Sequence, residues 1–251
     1  MDNMLKQELN KAFKLREIYV GMIATVIFAC LNIIIHLNEP YISSYQFPIT
    51  AIKNLTNSYM IIIFLAFSSY IFGVEIQNNT LKIIKSKPVR AWKFILVKFG
   101  ISFIYCFFLT VVTGIIVMGI SLICYSNVPL VYAEETYAIK DILIRIGMSY
   151  LLQYIAVCCI STICMMIVVC TNSTIYAFVG TFLIMIFSKL GENISIIKSY
   201  LPSSNWLIWK YILQKDILWQ EAIRSLFILM VYACICYFIT VRVYDQKQIN
   251  H

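Results

Sequence analysis

The residues that could do chemistry in this chain are few, and their spacing favours neither catalysis nor metal binding. The nine cysteines contain no CxxC pair, the spacing that zinc sites and redox motifs use. His36 and His251 are the only histidines in the sequence, and the second is its last residue. We therefore expect the cysteines to be small packing residues, and we expect no metal or haem site.

Glu134 and Glu135 form an acidic pair in a stretch that we predict to be an outer loop. Intramembrane proteases use a glutamate pair that an arginine follows, but Ile139 stands where that arginine would fall. The sequence also lacks the motifs of zinc hydrolases, serine hydrolases and nucleotide-binding P-loops. We expect solvated loop acids here, and no catalytic or cofactor-binding residue in the chain.

Composition identifies the kind of protein that must position these residues. The 251 residues are 61% apolar and 13% charged, whereas soluble domains are about 45–50% apolar and about 25% charged. One soluble core cannot bury this excess, so the sequence predicts a single integral membrane domain. The net charge of +8 then indicates loops that contact anionic lipid, and we expect no nucleic-acid partner.

The apolar runs predict an all-α protein with six transmembrane helices. They hold almost no charge, and a centrally placed Lys, Arg or Asp would cost roughly 2.5–3.5 kcal/mol. We place Glu75 and Lys98 at the cytoplasmic ends of spans, which leaves no charged residue for a proton path. The predicted spans are 18–37, 58–74, 99–125, 146–170, 174–188 and 226–241.

Basic residues orient the predicted bundle. They concentrate in the N-terminal tail and in the loop 75–98, so the positive-inside rule places both segments and both chain termini in the cytoplasm. Leu5, Leu9, Ala12 and Phe13 repeat at helical spacing within 1–17, which favours an interfacial helix on the cytoplasmic leaflet. A disordered basic tail is the alternative.

The segment 189–225 fits this topology less simply, because six spans place its lysines outside. It also contains Pro202 and three of the four tryptophans of the chain, Trp206, Trp209 and Trp219. Since Trp favours the headgroup level, we expect interfacial or re-entrant helices, with an ordinary polar loop as the alternative.

The loop 75–98 has the pattern of a short amphipathic helix between two spans. Glu75 ends a span, and Asn78, Asn79 and Thr80 are good helix-capping residues. Leu81 and Ile84 would share one face of a helix that Pro88 limits. Such a helix in a cytoplasmic loop predicts a docking surface for a partner protein.

At these residues the chain resembles the permease subunits of ABC exporters of the type-2 class. In that family a Glu ends the second span, a Gly-Thr-Leu-Lys-like sequence starts a coupling helix, and Pro-x-x-Arg and Lys lead into the third span. Asn79 stands where the family has Gly. The matching residues here are Glu75, Thr80, Leu81, Lys82, Pro88, Arg90 and Lys98.

The resemblance implies a separate ABC ATPase subunit that binds ATP and docks on 77–87, and a second permease chain, identical or related. Leu81 and Ile84 would contact the ATPase, and Glu75 and Arg90 would either fix the loop or serve as ordinary interfacial anchors. A chain of this length resembles bacterial permeases for peptide-antibiotic immunity and export, so an antimicrobial peptide is the preferred substrate and a bacterial cell membrane the expected location. Lipids or drugs as substrates, a non-transporting sensor or assembly protein, and an intramembrane enzyme are the alternatives.

Overall fold

A computed structural model shows a bundle of helices. It describes residues 2–14, 16–36, 43–55, 60–77, 91–125, 131–132, 135–136, 138–214 and 216–249. The helices are α1 (Asp2–Phe13), α2 (Arg16–His36), α3 (Gln46–Asn54), α4 (Met60–Gln77), α5 (Ala91–Cys124), α6 (Ile139–Thr171), α7 (Thr174–Gly191), α8 (Ser195–Lys198), α9 (Pro202–Asn205), α10 (Trp209–Ile212) and α11 (Trp219–Ile249). Two strands, β1 (Val131–Tyr132) and β2 (Glu135–Thr136), precede α6 and pair antiparallel.

Five of the described helices are long and apolar enough to cross a membrane, which confirms the prediction of a helical integral membrane protein. These candidate spans are Ile18–His36, Ala91–Cys124, Ile139–Thr171, Thr174–Gly191 and Trp219–Lys247. A shorter apolar helix, Ile61–Gly73 within α4, coincides with the second predicted span. Each of the six predicted spans therefore overlaps a helix, and five of these helices reach spanning length.

Several helices are longer than the runs from which they were predicted. α5 begins at Ala91 instead of 99, so the predicted coupling loop 75–98 is already helical from Ala91 onward. Its 34 residues measure about 51 Å, more than the hydrocarbon core of about 30 Å. The first turns continue as a helix because Phe94, Ile95 and Val97 pack against protein. Hydropathy detects the part of a helix that lies in lipid and misses such packed extensions.

α6 is the central helix of the bundle. In its apolar window 67% of the residues are buried, compared with 17–33% in the other four candidate spans. It packs against α4, α5, α7 and α11, and the largest core clusters contain its residues. A polar residue on α6 is therefore enclosed by protein more often than one on the outer helices.

Side-chain contacts sort the helix ends into two groups. At one end, which we call the termini end, α1 contacts the start of α5, and the end of α11 contacts the start of α5 and the end of α6. The defining pairs are Glu8 with Lys98, Phe94 with Tyr244, and Lys247 with Asn172. At the far end, α3 contacts the end of α5, and α10 precedes a loop that contacts the start of α6. The defining pairs there are Phe47 with Tyr125 and Arg145 with Gln214.

The short helix α3 lies between the first two predicted spans, in a stretch for which the sequence predicts no helix. The hydroxyl of Ser43 accepts a hydrogen bond from the backbone N–H of Gln46 at 3.2 Å and so satisfies one of the first amides. Pro48 lies in the first turn, where a missing N–H costs nothing. Phe47 and Ala51 are fully buried against the bundle. In the sequence, Ser43 followed by Pro48 is the pattern that indicates the start of this helix.

The segment 189–225 contains the three short helices α8, α9 and α10. Ser188 and Ser203 are joined by a hydrogen bond between their hydroxyls at 2.9 Å. Ile208 and Ile212 are fully buried in a cluster that includes Ala156 of α6. The segment is thus packed onto the bundle, and its depth in the membrane stays a prediction.

Candidate functional site at the termini end

Most of the predicted ATPase-coupling residues lie outside the described residues. These are Thr80, Leu81, Lys82, Ile84, Pro88 and Arg90. Glu75 is part of α4, near its end. We define the coupling segment as 78–90. The structure describes the two helices that flank it, α4 and α5.

The two flanks of the coupling segment pack together. Phe72 near the end of α4 and Phe99 near the start of α5 meet edge to face, with ring centroids 6.3 Å apart. Both side chains are buried. The end of α4 and the start of α5 therefore lie beside each other at the termini end.

A buried ion pair ties the N-terminal helix to the helix that follows the coupling segment. Lys98 of α5 donates to a carboxylate oxygen of Glu8 at 2.6 Å, and Lys11 donates to the other at 2.5 Å. Lys98 is 4% exposed and Glu8 8%. A buried lysine charge is tolerated when a carboxylate neutralises it. This pair fixes α1 on α5.

The carboxyl group of Glu8 responds to both burial and charge. Burial by itself would raise its pKa, but the ammonium groups of Lys98 and Lys11 outweigh burial and hold the pKa below its usual value of 4.5. Glu8 is therefore ionised at neutral pH. The electrostatic attraction to Lys98 is present under those conditions.

These contacts change the sequence-based view of α1. We expected its apolar face to lie on lipid, but Ala12 is buried in a cluster with Ile18 and Ile101, while Phe13 is 44% exposed. Lys98, which the sequence places at the cytoplasmic end of a span, is buried. No sequence pattern predicts this pairing, because Glu8 and Lys98 lie 90 residues apart.

Aromatic residues join the last turns of α11 to the first turns of α5. Phe94 stacks on Tyr244 with ring centroids 5.2 Å apart, and the ammonium group of Lys98 lies 5.4 Å from the Phe94 ring, within cation–π range. The hydroxyl of Tyr237 donates to the carbonyl of Trp92 at 3.2 Å. α5 is thus held on one side by α1 and on another by α11.

The turn between α6 and α7 completes this end. Asn172 adopts the left-handed conformation with φ 55° and caps α6, and the hydroxyl of Ser173 accepts from the backbone N–H of Tyr176 at 3.4 Å. Lys247 of α11 donates to the carbonyl of Val169 at 2.6 Å and to the side chain of Asn172 at 3.0 Å. A cation at these carbonyls also complements the helix dipole.

A second polar feature lies deep in the bundle, on α6. The carboxamide of Gln153 is 2% exposed, and neither of its polar atoms has a hydrogen-bond partner among the residues that the structure describes. It borders a small cavity that α3, α4 and α5 also line. Gln153 cannot be singled out from the sequence, because one Gln in an apolar run looks the same whether it faces protein or lipid.

The described residues contain no cluster of three or more His, Cys, Asp or Glu side chains that could hold a metal ion. All nine cysteines are free thiols, and five of them are buried. Glu135 lies in β2, and Glu134 lies outside the described residues.

Comparison with known families decides the class of the protein. A family model described as ABC-2 family transporter protein matches residues 4–188. The chain belongs to the ABC-2 transporter family. The match extends from α1 into α7, so it includes the coupling segment, the Glu8–Lys98 pair and Gln153. A search of curated proteins found no match.

Membership in the ABC-2 family makes the chain a membrane permease subunit of an ABC transporter. Permeases of this kind work with an ABC ATPase subunit. In such a transporter the transmembrane subunit and the ATPase are different subunits. The chain is accordingly a multi-pass membrane protein.

Proposed function

We propose that this permease is the membrane half of an ATP-driven exporter, and that its ATPase subunit docks on 77–87. The observation that carries the proposal is the family match over 4–188, which contains this entire segment. Leu81 and Ile84 are the proposed contact residues. Glu75 and Arg90 fix the ends of the loop, and a second permease chain, identical or related, completes the pathway.

The packing at the termini end supports mechanical coupling between the ATPase and the bundle. α5 starts directly after the coupling segment and continues without a break from Ala91 to Cys124. A push on the segment would thus move a rigid helix that reaches the far end. Glu8 and Tyr244 would carry the same displacement to α1 and α11. Closure of the ATPase dimer would in this way shift the bundle from inward-open to outward-open.

We also propose six spans with both termini in the cytoplasm. In support, the end of α4 lies at the termini end beside Phe99, although its described apolar part is short. The burial of Ile208 and Ile212 in one cluster with Ala156, near the middle of α6, favours a re-entrant position for α9 and α10.

The preferred substrate is a hydrophobic or amphipathic peptide. An exporter without its own ATPase motif and with an apolar bundle suits such a molecule, and the resemblance to peptide-antibiotic permeases favours it over lipids and drugs. Export from a bacterial cell, with the ATPase on the cytoplasmic side, follows from the same resemblance.

Docking is tested by purifying the tagged chain from its native host and identifying any ABC ATPase that co-purifies with it. We expect an equimolar complex with the wild type and its loss with Leu81→Asp combined with Ile84→Asp, because two charges replace the apolar contact. The matched control carries the same two charges outside the coupling segment, as Ile196→Asp with Ile197→Asp, both exposed on α8. A complex that survives the first double variant as well as the control would contradict the proposed dock, and the absence of any ATPase would favour the sensor alternative.

A further inference from the structure

Gln153 makes no side-chain hydrogen bond to any of the described residues. Both the amide nitrogen and the amide oxygen are buried without a partner among them. Ser149, one turn earlier on the same face of α6, also has a buried hydroxyl that no described residue bonds. Two neighbouring polar groups with unused bonding capacity therefore lie on the side of α6 that faces α3, α4 and α5.

Stability alone does not account for this glutamine. A buried donor or acceptor that stays unbonded destabilises the fold, and an apolar side chain of the same size would avoid this cost. Methionine has nearly the same length and volume. Residues that violate such a local rule are expected at functional sites.

The cavity beside Gln153 is small, and its lining combines apolar side chains with side chains that carry a polar group. Its volume is about 10 Å³, enough for the centre of one water-sized group. Ile52, Phe64 and Val157 form its apolar walls. A cavity of this size holds one water-sized group, whereas a pocket for a whole ligand measures roughly 300–1,000 Å³, so a transported molecule would place at most one small group here.

The hydroxyl groups of the other polar side chains that line the cavity already donate hydrogen bonds to backbone carbonyls. Tyr150 donates to the carbonyl of Pro48 at 3.4 Å, and Tyr154 donates to the carbonyl of Phe103 at 3.1 Å. Thr110 donates to its own helix, at the carbonyl of Cys106. Among the lining side chains, Gln153 alone offers both a donor and an acceptor that no described residue uses.

The position of Gln153 along its helix is also informative. It lies about 21 Å from the start of α6 at a rise of about 1.5 Å per residue, in a helix of 33 residues. This is close to the middle of the helix. A molecule that crosses the bundle must pass this depth, where an apolar path offers few polar contacts.

We propose that Gln153 is a specificity-determining contact of this permease, at which one amide or hydroxyl group of the transported molecule hydrogen-bonds inside the membrane domain. The inference rests on the proposed exporter function. It adds the chemistry that the site recognises: a group that accepts from the amide nitrogen and donates to the amide oxygen. Ile52 of α3 forms one wall, so movement of α3 or α4 would admit a larger part of the molecule.

Two measurements on the permease–ATPase complex in lipid nanodiscs test this proposal. The first is thermal unfolding of Gln153→Met. The second is the concentration dependence of ATPase stimulation by three probes, a cationic amphipathic helical peptide, a short-chain phosphatidylethanolamine and a cationic rhodamine dye. Thr113→Val is the matched control, because Thr113 is a buried polar residue on α5 whose hydroxyl is already bonded to the carbonyl of Leu109.

We expect Gln153→Met to unfold at a higher temperature than the wild type and to need a roughly five- to tenfold higher concentration of the stimulating probe, as for one lost hydrogen bond. Thr113→Val should leave that concentration unchanged. An unchanged concentration for Gln153→Met, or a lower unfolding temperature, would mean a buried water only and would overturn the proposal.

These measurements distinguish failure of the proposed exporter function from failure of the proposed role of Gln153. If no probe stimulates the wild-type complex, the exporter function fails, and unfolding decides the role of Gln153 alone. A more stable Gln153→Met would then still mark the residue as retained for a ligand, whereas a less stable one would assign it to the fold.

Discussion

Replacing Glu8 by Gln tests how α1 is held on the bundle. The change keeps the size of the side chain and removes the negative charge that lies 2.6 Å from the ammonium group of Lys98. Lys98 is only 4% exposed, so water cannot take over the role of the carboxylate. Removing one member of a buried ion pair typically costs about 3–5 kcal/mol, and we expect Glu8→Gln to lower the free energy of unfolding by this amount.

Two further variants separate burial from charge. Glu221 and Arg224 form an exposed pair at 3.5 Å, with side chains 47% and 50% exposed, and such pairs contribute about 0–1 kcal/mol. Glu221→Gln should therefore have little effect. Combining Glu8→Gln with Lys98→Met removes both buried charges, and much of the lost stability should return because no buried cation is left.

The pH dependence gives an independent check. The pKa of Glu8 is held below its usual value of 4.5 by Lys98 and Lys11, so the folded state binds the proton more weakly than the unfolded chain does. The stabilisation is complete above the usual pKa and is lost as the pH falls through the lowered one. The wild type should lose its advantage over Glu8→Gln on acidification in that window.

Equilibrium unfolding in mixed detergent micelles, followed by circular dichroism at several pH values, measures all four proteins. A cost for Glu8→Gln no larger than that for Glu221→Gln, with no difference in pH dependence, would refute the role of the buried pair.

Two other changes test packing at the same end of the bundle. A Cβ at Gly73 would lie 1.7 Å from the methyl carbon of Thr174, so Gly73→Ala should destabilise the protein by about 1–3 kcal/mol. Adding Thr174→Ser removes this methyl group and should restore stability in the same unfolding assay. Equal stability of Gly73→Ala and wild type would contradict the close approach of α4 and α7. Lys247→Met should lower the free energy of unfolding by about 1–2 kcal/mol, because the hydrogen bond to the Val169 carbonyl is lost. The control is Lys14→Met, at an exposed lysine of the N-terminal region, which should leave the free energy of unfolding unchanged.

Sequence reasoning reached the class of the protein because long charge-free runs have one main physical explanation. The runs around Val117 and Ile160 are too apolar for water and long enough for a bilayer, and both lie in candidate spans. α3 was not predicted, because a nine-residue helix that carries Lys53 and Pro48 produces no apolar run. Its burial depends on neighbours that are distant in the chain.

The polar contacts were beyond single-sequence reasoning for a similar reason. Glu8 and Lys98 are ordinary charged residues until the fold brings them together, and Gln153 is an ordinary polar residue until its surroundings are known. The coupling residues Leu81 and Ile84 are predicted from the amphipathic pattern of their segment and from its resemblance to a family. They lie outside the described residues and stay a prediction.

ATP-driven movement of a peptide across the membrane tests the central claim most directly. Inverted membrane vesicles that contain the permease and its ATPase should accumulate a labelled amphipathic peptide when ATP is supplied, and not with a non-hydrolysable analogue. The variant Leu81→Asp with Ile84→Asp should abolish this accumulation, whereas Ile196→Asp with Ile197→Asp should retain it. Peptide uptake that is independent of ATP, or equal in the two double variants, would contradict the account.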